Sequence, residues 1–280
     1  MGSWTEEPLP YRPNSIYWFE RIRHLRWPVL LSSGGAPGFD LIAADPGTTI
    51  TSRQGNSRIG NRHRSFTSQE DPLHLLRHLL DEECPHRLPQ HWEGFIGGAL
   101  GYFSYDLGRS IESLPQQSVR DIDVPEMSVG IYRWAVITDH RVGQTVLRFS
   151  PACSAEERRR VTQCLAMPGK GSPEIFTLTS SLQSNFDRQS YRGAMEKLLE
   201  YIVAGDCYQA NLAQRFTACY EGDPWGLYKR LERQMRAPYS AYLDFDGSHI
   251  LCLSPERFLT VSKGQVTTQP IKGTRPRGRN

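Results

Sequence analysis

Apolar positions along the chain follow two rhythms. Trp18, Phe19, Ile22 and Leu25 recur at helical spacing, which predicts a short amphipathic helix over residues 15–26, ended by Trp27-Pro28. Val29-Leu30-Leu31 is a continuous apolar run and predicts a buried strand that turns at Ser32-Ser33-Gly34-Gly35. A second strand runs over residues 39–44 and stops at Asp45-Pro46-Gly47. Asp71-Pro72 opens a helix with Leu73, Leu76, Leu79 and Leu80 as its buried stripe. Residues 94–105, rich in glycine and aromatics, predict a strand or tight turn where backbones approach closely. Residues 131–138 and 145–149 predict a hairpin around Gly143.

Ser154, with Glu157 three residues on, carries the pattern of a capping box and starts another helix. Residues 167–173 (MPGKGSP) read as the best linker in the chain. They suggest an N-terminal region at 1–166, a linker at 167–186 and a further region at 187–280. A long helix is expected from Asp187 to Ala204, with Tyr191, Met195, Leu198 and Ile202 on one face and Gly205 as its stop. Asp223-Pro224 caps another helix, closed before Pro238. Strands then dominate, at 241–245, 249–254, 258–262 and 265–271, with Asp246-Gly247 and Lys263-Gly264 as hairpin turns. Antiparallel strands grouped apart from long helices predict an α+β fold of layered antiparallel sheets flanked by helices.

Composition narrows the picture modestly. With 280 residues the chain can build one large or two modest domains. A net charge of +3 is too small to argue for nucleic acid or an anionic membrane. Six cysteines without paired short spacing, behind a polar N-terminus with Glu6 and Glu7, suggest free thiols in the cytoplasm. No apolar run is long enough to span a bilayer.

The candidate chemistry centres on Lys272, within Pro270-Ile271-Lys272-Gly273-Thr274. If the hairpin loop at 263–264 has two residues, Ser262 faces Gln265 and Glu256 faces Ile271. A three-residue loop would set Glu256 directly opposite Lys272. Such a pair reads either as an acid beside an amine nucleophile or as a cross-strand salt bridge. His74 and His78, one helical turn apart, with Cys84, His86 and His91 nearby, would be zinc donors. Without a fixed cysteine-pair spacing they read more simply as a solvated helix face, and no metal ligand is assigned. The run Arg158-Arg159-Arg160 also reads as a solvated face, and Arg275, Arg277 and Arg279 as a basic terminus. The glycines of 94–103 lack the order of a phosphate-cradling loop.

Six motifs carry a resemblance in order. They are GGALGYFSYDLGR (97–109), VPEMSVGIY (124–132), GDCYQANLAQRF (205–216), RAPYSAYL (236–243), SPERF (254–258) and PIKGTRPR (270–277). The chain resembles the chorismate-utilising family, which includes component I of aminodeoxychorismate synthase and the large subunit of anthranilate synthase. Lysine in PIKGT resembles the aminodeoxychorismate branch, whereas anthranilate synthases carry PIAGT. The resemblance implies an anthranilate synthase component I-like fold and amination of chorismate to 4-amino-4-deoxychorismate, on the route to 4-aminobenzoate and folate. Lys272 would be the nucleophile, Glu256 the general acid, and Thr274 a substrate contact. Ammonia would come from a glutamine amidotransferase partner, and Mg²⁺ would be the cofactor.

The resemblance also implies a tryptophan site at Ser33, Phe39, Pro238, Tyr239 and Ser240. The chain departs from the family between Gly34 and Phe39, where the loop is shorter. Ordinary packing is the other reading of those residues. Family members are longer, and their further segment carries the Mg²⁺ carboxylates. The chorismate domain is therefore expected to be incomplete in these 280 residues, and the chain alone inactive. Anthranilate synthase component I, or a non-catalytic tryptophan- or partner-binding module, are the alternatives.

Overall fold

A computed structural model of the chain describes residues 3–84, 94–95, 97–115, 120–169, 175–271 and 273. Strand β1 (Thr5–Leu9) and helix α1 (Ile16–Ile22) precede β2 (Val29–Ser32), β3 (Phe39–Ala43), β4 (Thr48–Arg53), β5 (Asn56–Gly60) and β6 (Ser65–Ser68). Helix α2 (Pro72–Glu83) leads to β7 (Gly98–Phe103) and a 3₁₀ turn at Tyr105–Ser110. Then come β8 (Met127–Tyr132), β9 (Trp134–Asp139), β10 (Gln144–Phe149) and α3 (Ala155–Ala166). The segment β11 (Phe176–Leu178), β12 (Gln183–Ser184), α4 (Arg188–Ala204), β13 (Phe216–Thr217) and β14 (Tyr220–Gly222) follows. Helix α5 (Pro224–Met235), β15 (Tyr239–Phe245), β16 (Ser248–Ser254), β17 (Thr260–Ser262) and β18 (Gln265–Thr267) complete the described elements.

Two compact units result, Met1–Gly171 with Tyr228–Asn280, and Ser172–Leu227. The first holds a seven-stranded sheet, β1-β10-β9-β3-β2-β15-β16, and a five-stranded sheet, β6-β5-β4-β8-β7. The β17-β18 ribbon also belongs to it, while the β11-β14 and β12-β13 ribbons lie with α4 in the second unit. Every strand pair among the described residues is antiparallel, as the α+β reading expects. Strands from both sides of residues 167–186 share one sheet, because β15 pairs with β2.

Alternation sets the two faces of the larger sheet. Val29, Leu41, Ala43, Ala135, Ile137, Leu243 and Phe245 point to one side and form a buried core. The five-stranded sheet packs Leu100 and Tyr102 against that core. Phe245 stacks between Trp27, with centroids 4.4 Å apart, and Tyr102, at 6.3 Å. On the opposite face of the larger sheet Tyr242 meets Phe19 of α1 edge-on at 5.7 Å and Tyr228 of α5 at 5.5 Å. The smaller sheet turns Ile50, Ile59, Met127 and Val129 away from the larger one, onto Leu76 of α2 and Leu107. Fully burying each such side chain stabilises by roughly 1.5–3 kcal/mol.

The helix signals act as expected. Asp71 accepts from the N–H groups of Leu73 and His74 at 2.7 and 3.0 Å. Ser154 accepts from the Glu157 N–H at 3.1 Å. Asp187 and Ser190 cap α4 reciprocally. The expected strand over 131–138 is corrected. Tyr132 still pairs with Gly98 in the smaller sheet, whereas Trp134 pairs with Phe149 in the larger one. The break falls at Arg133, whose carbonyl accepts from Ser150 and whose guanidinium holds Glu83 at 2.7 Å. One apolar run thus serves two sheets.

Candidate functional site

The hairpin that bears Glu256 resolves the loop-length question. Ser262 pairs with Gln265, so the loop has two residues, Lys263 (φ 50°) and Gly264 (φ 78°). The ladder ends at Thr260–Thr267 and does not extend to Glu256. Beyond it Thr268 donates its hydroxyl to the Phe258 carbonyl at 2.7 Å. Glu256 lies in the turn after β16, where the Ser254 hydroxyl accepts from its N–H and donates to its carbonyl. Its side chain reaches solvent. Lys272 and Thr274 lie outside the described residues, as do His86 and His91.

A cavity of about 450 Å³ opens beside the larger sheet, at the end of α5. Asp40 is its buried acid. Alternation on β3 turns Asp40 away from Phe39 and Leu41, toward the helix-covered face. The Ser33 N–H and hydroxyl donate to Asp40 Oδ1 at 2.7 and 2.8 Å. His140 Nε2 stands 3.0 Å from Asp40 Oδ2, and Tyr11 bonds His140 Nδ1 at 3.1 Å. Glu232, Arg233 and Arg236 of α5 and the loop after it line the facing wall. Burial pushes the Glu232 carboxyl up, and the charge of Asp40 adds to this, with Arg236 and Arg233 opposing. Gly34 adopts φ 63°, and a Cβ there would stand 2.5 Å from the Ala237 carbonyl oxygen, so this rim is closed by backbone against backbone.

The residues expected to hold tryptophan divide between the faces of the sheet. Ser33 is buried against Asp40. Ser240 pairs with Ser32, a lining residue, and its hydroxyl donates to the Ala237 carbonyl at 2.8 Å. Tyr239 lies under the Arg257 guanidinium, 4.8 Å from its centroid. Phe39 packs on the inter-sheet core and carries Arg141 over its ring at 4.3 Å. Pro238 joins α5 to β15. Sequence reasoning missed Asp40, His140 and Glu232. The available signal was Asp40 itself, a carboxylate inside the apolar run FDLIA that burial demands be paired. Among the described residues no three His, Cys, Asp or Glu side chains gather to hold a metal.

This architecture is the layered antiparallel α+β fold of a chorismate-utilising enzyme. Anthranilate synthase component I from Streptococcus pneumoniae TIGR4 superposes with a TM-score of 0.70 at 26% identity, over 83% of this chain and 54% of that one. The chain belongs to the chorismate binding enzyme family, whose model matches residues 27–280. Aminodeoxychorismate synthase component 1 of Salmonella typhimurium is 42% identical over 274 residues, 96% of this chain and 59% of the relative. The same-named protein of Escherichia coli K12 is 42% identical over 268 residues, covering 93% and 57%. The chain thus spans under two thirds of the length of these curated relatives.

Proposed function

We propose that the chain carries the component 1 function of an aminodeoxychorismate synthase. The observation that supports this most is 42% identity across 96% of the chain to a protein of that name, together with lysine rather than alanine in the PIKGT motif. Lys272 attacks C2 of chorismate while the C4 hydroxyl departs as water, protonated by Glu256. Ammonia then forms the new bond at C4, and the amine of Lys272 leaves C2, giving 4-amino-4-deoxychorismate. A glutamine amidotransferase partner supplies the ammonia in the cytoplasm, and the product feeds 4-aminobenzoate and folate synthesis. Mg²⁺ and the substrate contact of Thr274 belong to the same proposal.

The test is a chimera in which the region beyond this chain's match is supplied from the Escherichia coli relative. Given chorismate, Mg²⁺ and ammonium, it is expected to form 4-amino-4-deoxychorismate by mass spectrometry. Lys272→Ala is expected to abolish both product and lysine adduct. Anthranilate as the product would instead place the chain with anthranilate synthases, and full activity of Lys272→Ala would remove the covalent step.

A second reading concerns the Asp40 cavity. Its pairing of acids with Arg233 and Arg236 suits a zwitterion, and tryptophan is the ligand proposed. Calorimetry with L-tryptophan checks it. One site is expected, weakened about tenfold by Asp40→Asn; no heat above dilution would reject it.

A further inference from the structure

A second cavity, of about 290 Å³, lies between the two sheets of the first unit. Its floor is the face of the smaller sheet that carries Thr49, Thr51 and Arg58, the last two being cross-strand neighbours. Its wall is Arg26, Trp27 and Asp246, the last at the β15–β16 turn. The charges do not match one another. Arg26 spends one amine on the Pro46 carbonyl at 2.6 Å, while its Nε is buried with no hydrogen-bond partner. Arg58, whose backbone pairs with Thr51 and Thr67, makes no side-chain ion pair or hydrogen bond among the described residues. Asp246 Oδ1 is occupied by the Trp27 indole N–H at 2.9 Å. The nearby carboxylate of Asp45 is held by Arg62 and Arg160.

The remaining polar groups are mainly donors. Asn61 uses its side-chain oxygen on the N–H groups of His63 and Arg64, which leaves its amide N–H₂ available. The Thr51 and Ser65 hydroxyls line the same space. Arg26 and Arg58 both line the cavity, so two guanidiniums stand there against the single carboxylate of Asp246. Two guanidiniums and several neutral donors facing one carboxylate define a site for a compact oxyanion. The volume is at the low end of small-molecule sites, which favours a compact ligand.

We propose that this inter-sheet cavity binds a small phosphate-bearing molecule, with the phosphate between Arg26 and Arg58 and a hydroxyl of the ligand against Asp246. The site is separate from the Asp40 cavity and from the hairpin of Glu256, and shares no lining residue with either. It stands or falls independently of the chorismate reading.

The experiment titrates the 280-residue chain with inorganic phosphate and with glycerol 3-phosphate, followed by calorimetry and ³¹P NMR at ionic strength matched with chloride. One saturable site is expected, tighter for glycerol 3-phosphate. Arg58→Thr is the decisive variant, because Arg58 is exposed on a strand and threonine suits that position. It is expected to weaken both ligands at least about tenfold. Asp246→Asn keeps an acceptor for Trp27 and removes a like charge, so inorganic phosphate is expected to bind a few-fold more tightly. Absence of a saturable site, or equal affinity in Arg58→Thr, would overturn the proposal. Undiminished binding in that variant would move the anion to another basic surface, including the Arg233 and Arg236 wall.

Discussion

At the scale of single residues the strongest constraint is Asp45. It is 3% exposed and sits at φ 57°, in the left-handed region that Asp and Asn tolerate. Arg62, from the loop between β5 and β6, and Arg160, from α3, both bond its carboxylate. Burial pushes this carboxyl up, but the hydrogen bonds and charges of the two arginines outweigh it and hold the group below the usual carboxylate range. Both guanidiniums reach solvent, so the pair is worth less than a fully buried one. Asp45→Asn keeps the backbone geometry and removes the charge; we expect about 2 kcal/mol of lost stability in urea denaturation at neutral pH. The sign with pH follows from the depressed value. The Asp45 contribution is present above its unfolded pKa of about 3.9 and is lost as pH falls through its folded value. As pH falls below about 3.9 the unmodified chain should therefore lose more stability than Asp45→Asn, and the two curves should converge in stronger acid. Gly34 is the second such residue. Alanine there must accept both φ 63° and a 2.5 Å approach to a carbonyl oxygen. Gly35→Ala meets φ 83° but open space. Thermal denaturation should show Gly34→Ala less stable than Gly35→Ala, the former losing roughly 2 kcal/mol or more.

Among the elements, those governed by local chemistry were the ones legible in the sequence. Asp71, Asp187 and Gly205 bound helices because caps act within one turn. Asp71→Ala should cost about 1 kcal/mol, read as a lower denaturation midpoint with unchanged slope, since it leaves the Leu76 face of α2 intact. The close approach expected in the glycine-rich run is also present. A Cβ on Gly101 would fall 2.0 Å from the Ser128 carbonyl oxygen across the β7–β8 ladder. Elements decided by distant partners were not legible. Strands β1, β4 and β5 carry few long apolar residues, and Pro8 weakens β1 further. They exist because β10 offers an edge to β1, β8 offers one to β4, and β4 in turn offers one to β5. The same limit hid the candidate site. Nothing local joins Asp40 to His140, a hundred residues apart; β3 and β9 must first pair. The hairpin loop had two readings from the sequence, and the positive φ of Lys263 and Gly264 decided between them.

For the whole molecule, burial is distributed unevenly, and that has a measurable consequence. Ile137, Val136, Trp134 and Phe149 of β9 and β10 are at most 2% exposed, inside a sheet bonded on both sides of β9. Helix α4 is seventeen residues long and buries none of its side chains. Leu199, Tyr201 and Val203 on its last turns are 53%, 44% and 88% exposed. Its apolar stripe of Tyr191, Met195 and Leu198 is only half-buried, so the helix leans on its own caps and propensity, which are marginal at this length in water. Local opening should therefore separate the two regions by several orders of magnitude in amide exchange. We expect the backbone N–H groups of α4 to exchange near the rate of a fraying helix, while those of β9 and β10 exchange only on global unfolding. Hydrogen exchange read by mass spectrometry checks this on peptides from 188–204 and 134–149. Replacing Asp187 with Ala removes the reciprocal cap with Ser190, whose bonds are 2.7 and 3.0 Å. That change should speed exchange in α4 severalfold and leave β9 and β10 unchanged, since loss of a cap acts only on the opening it restrains. Equal acceleration by Asp187→Ala in both peptides would mean that α4 opens only with the global transition.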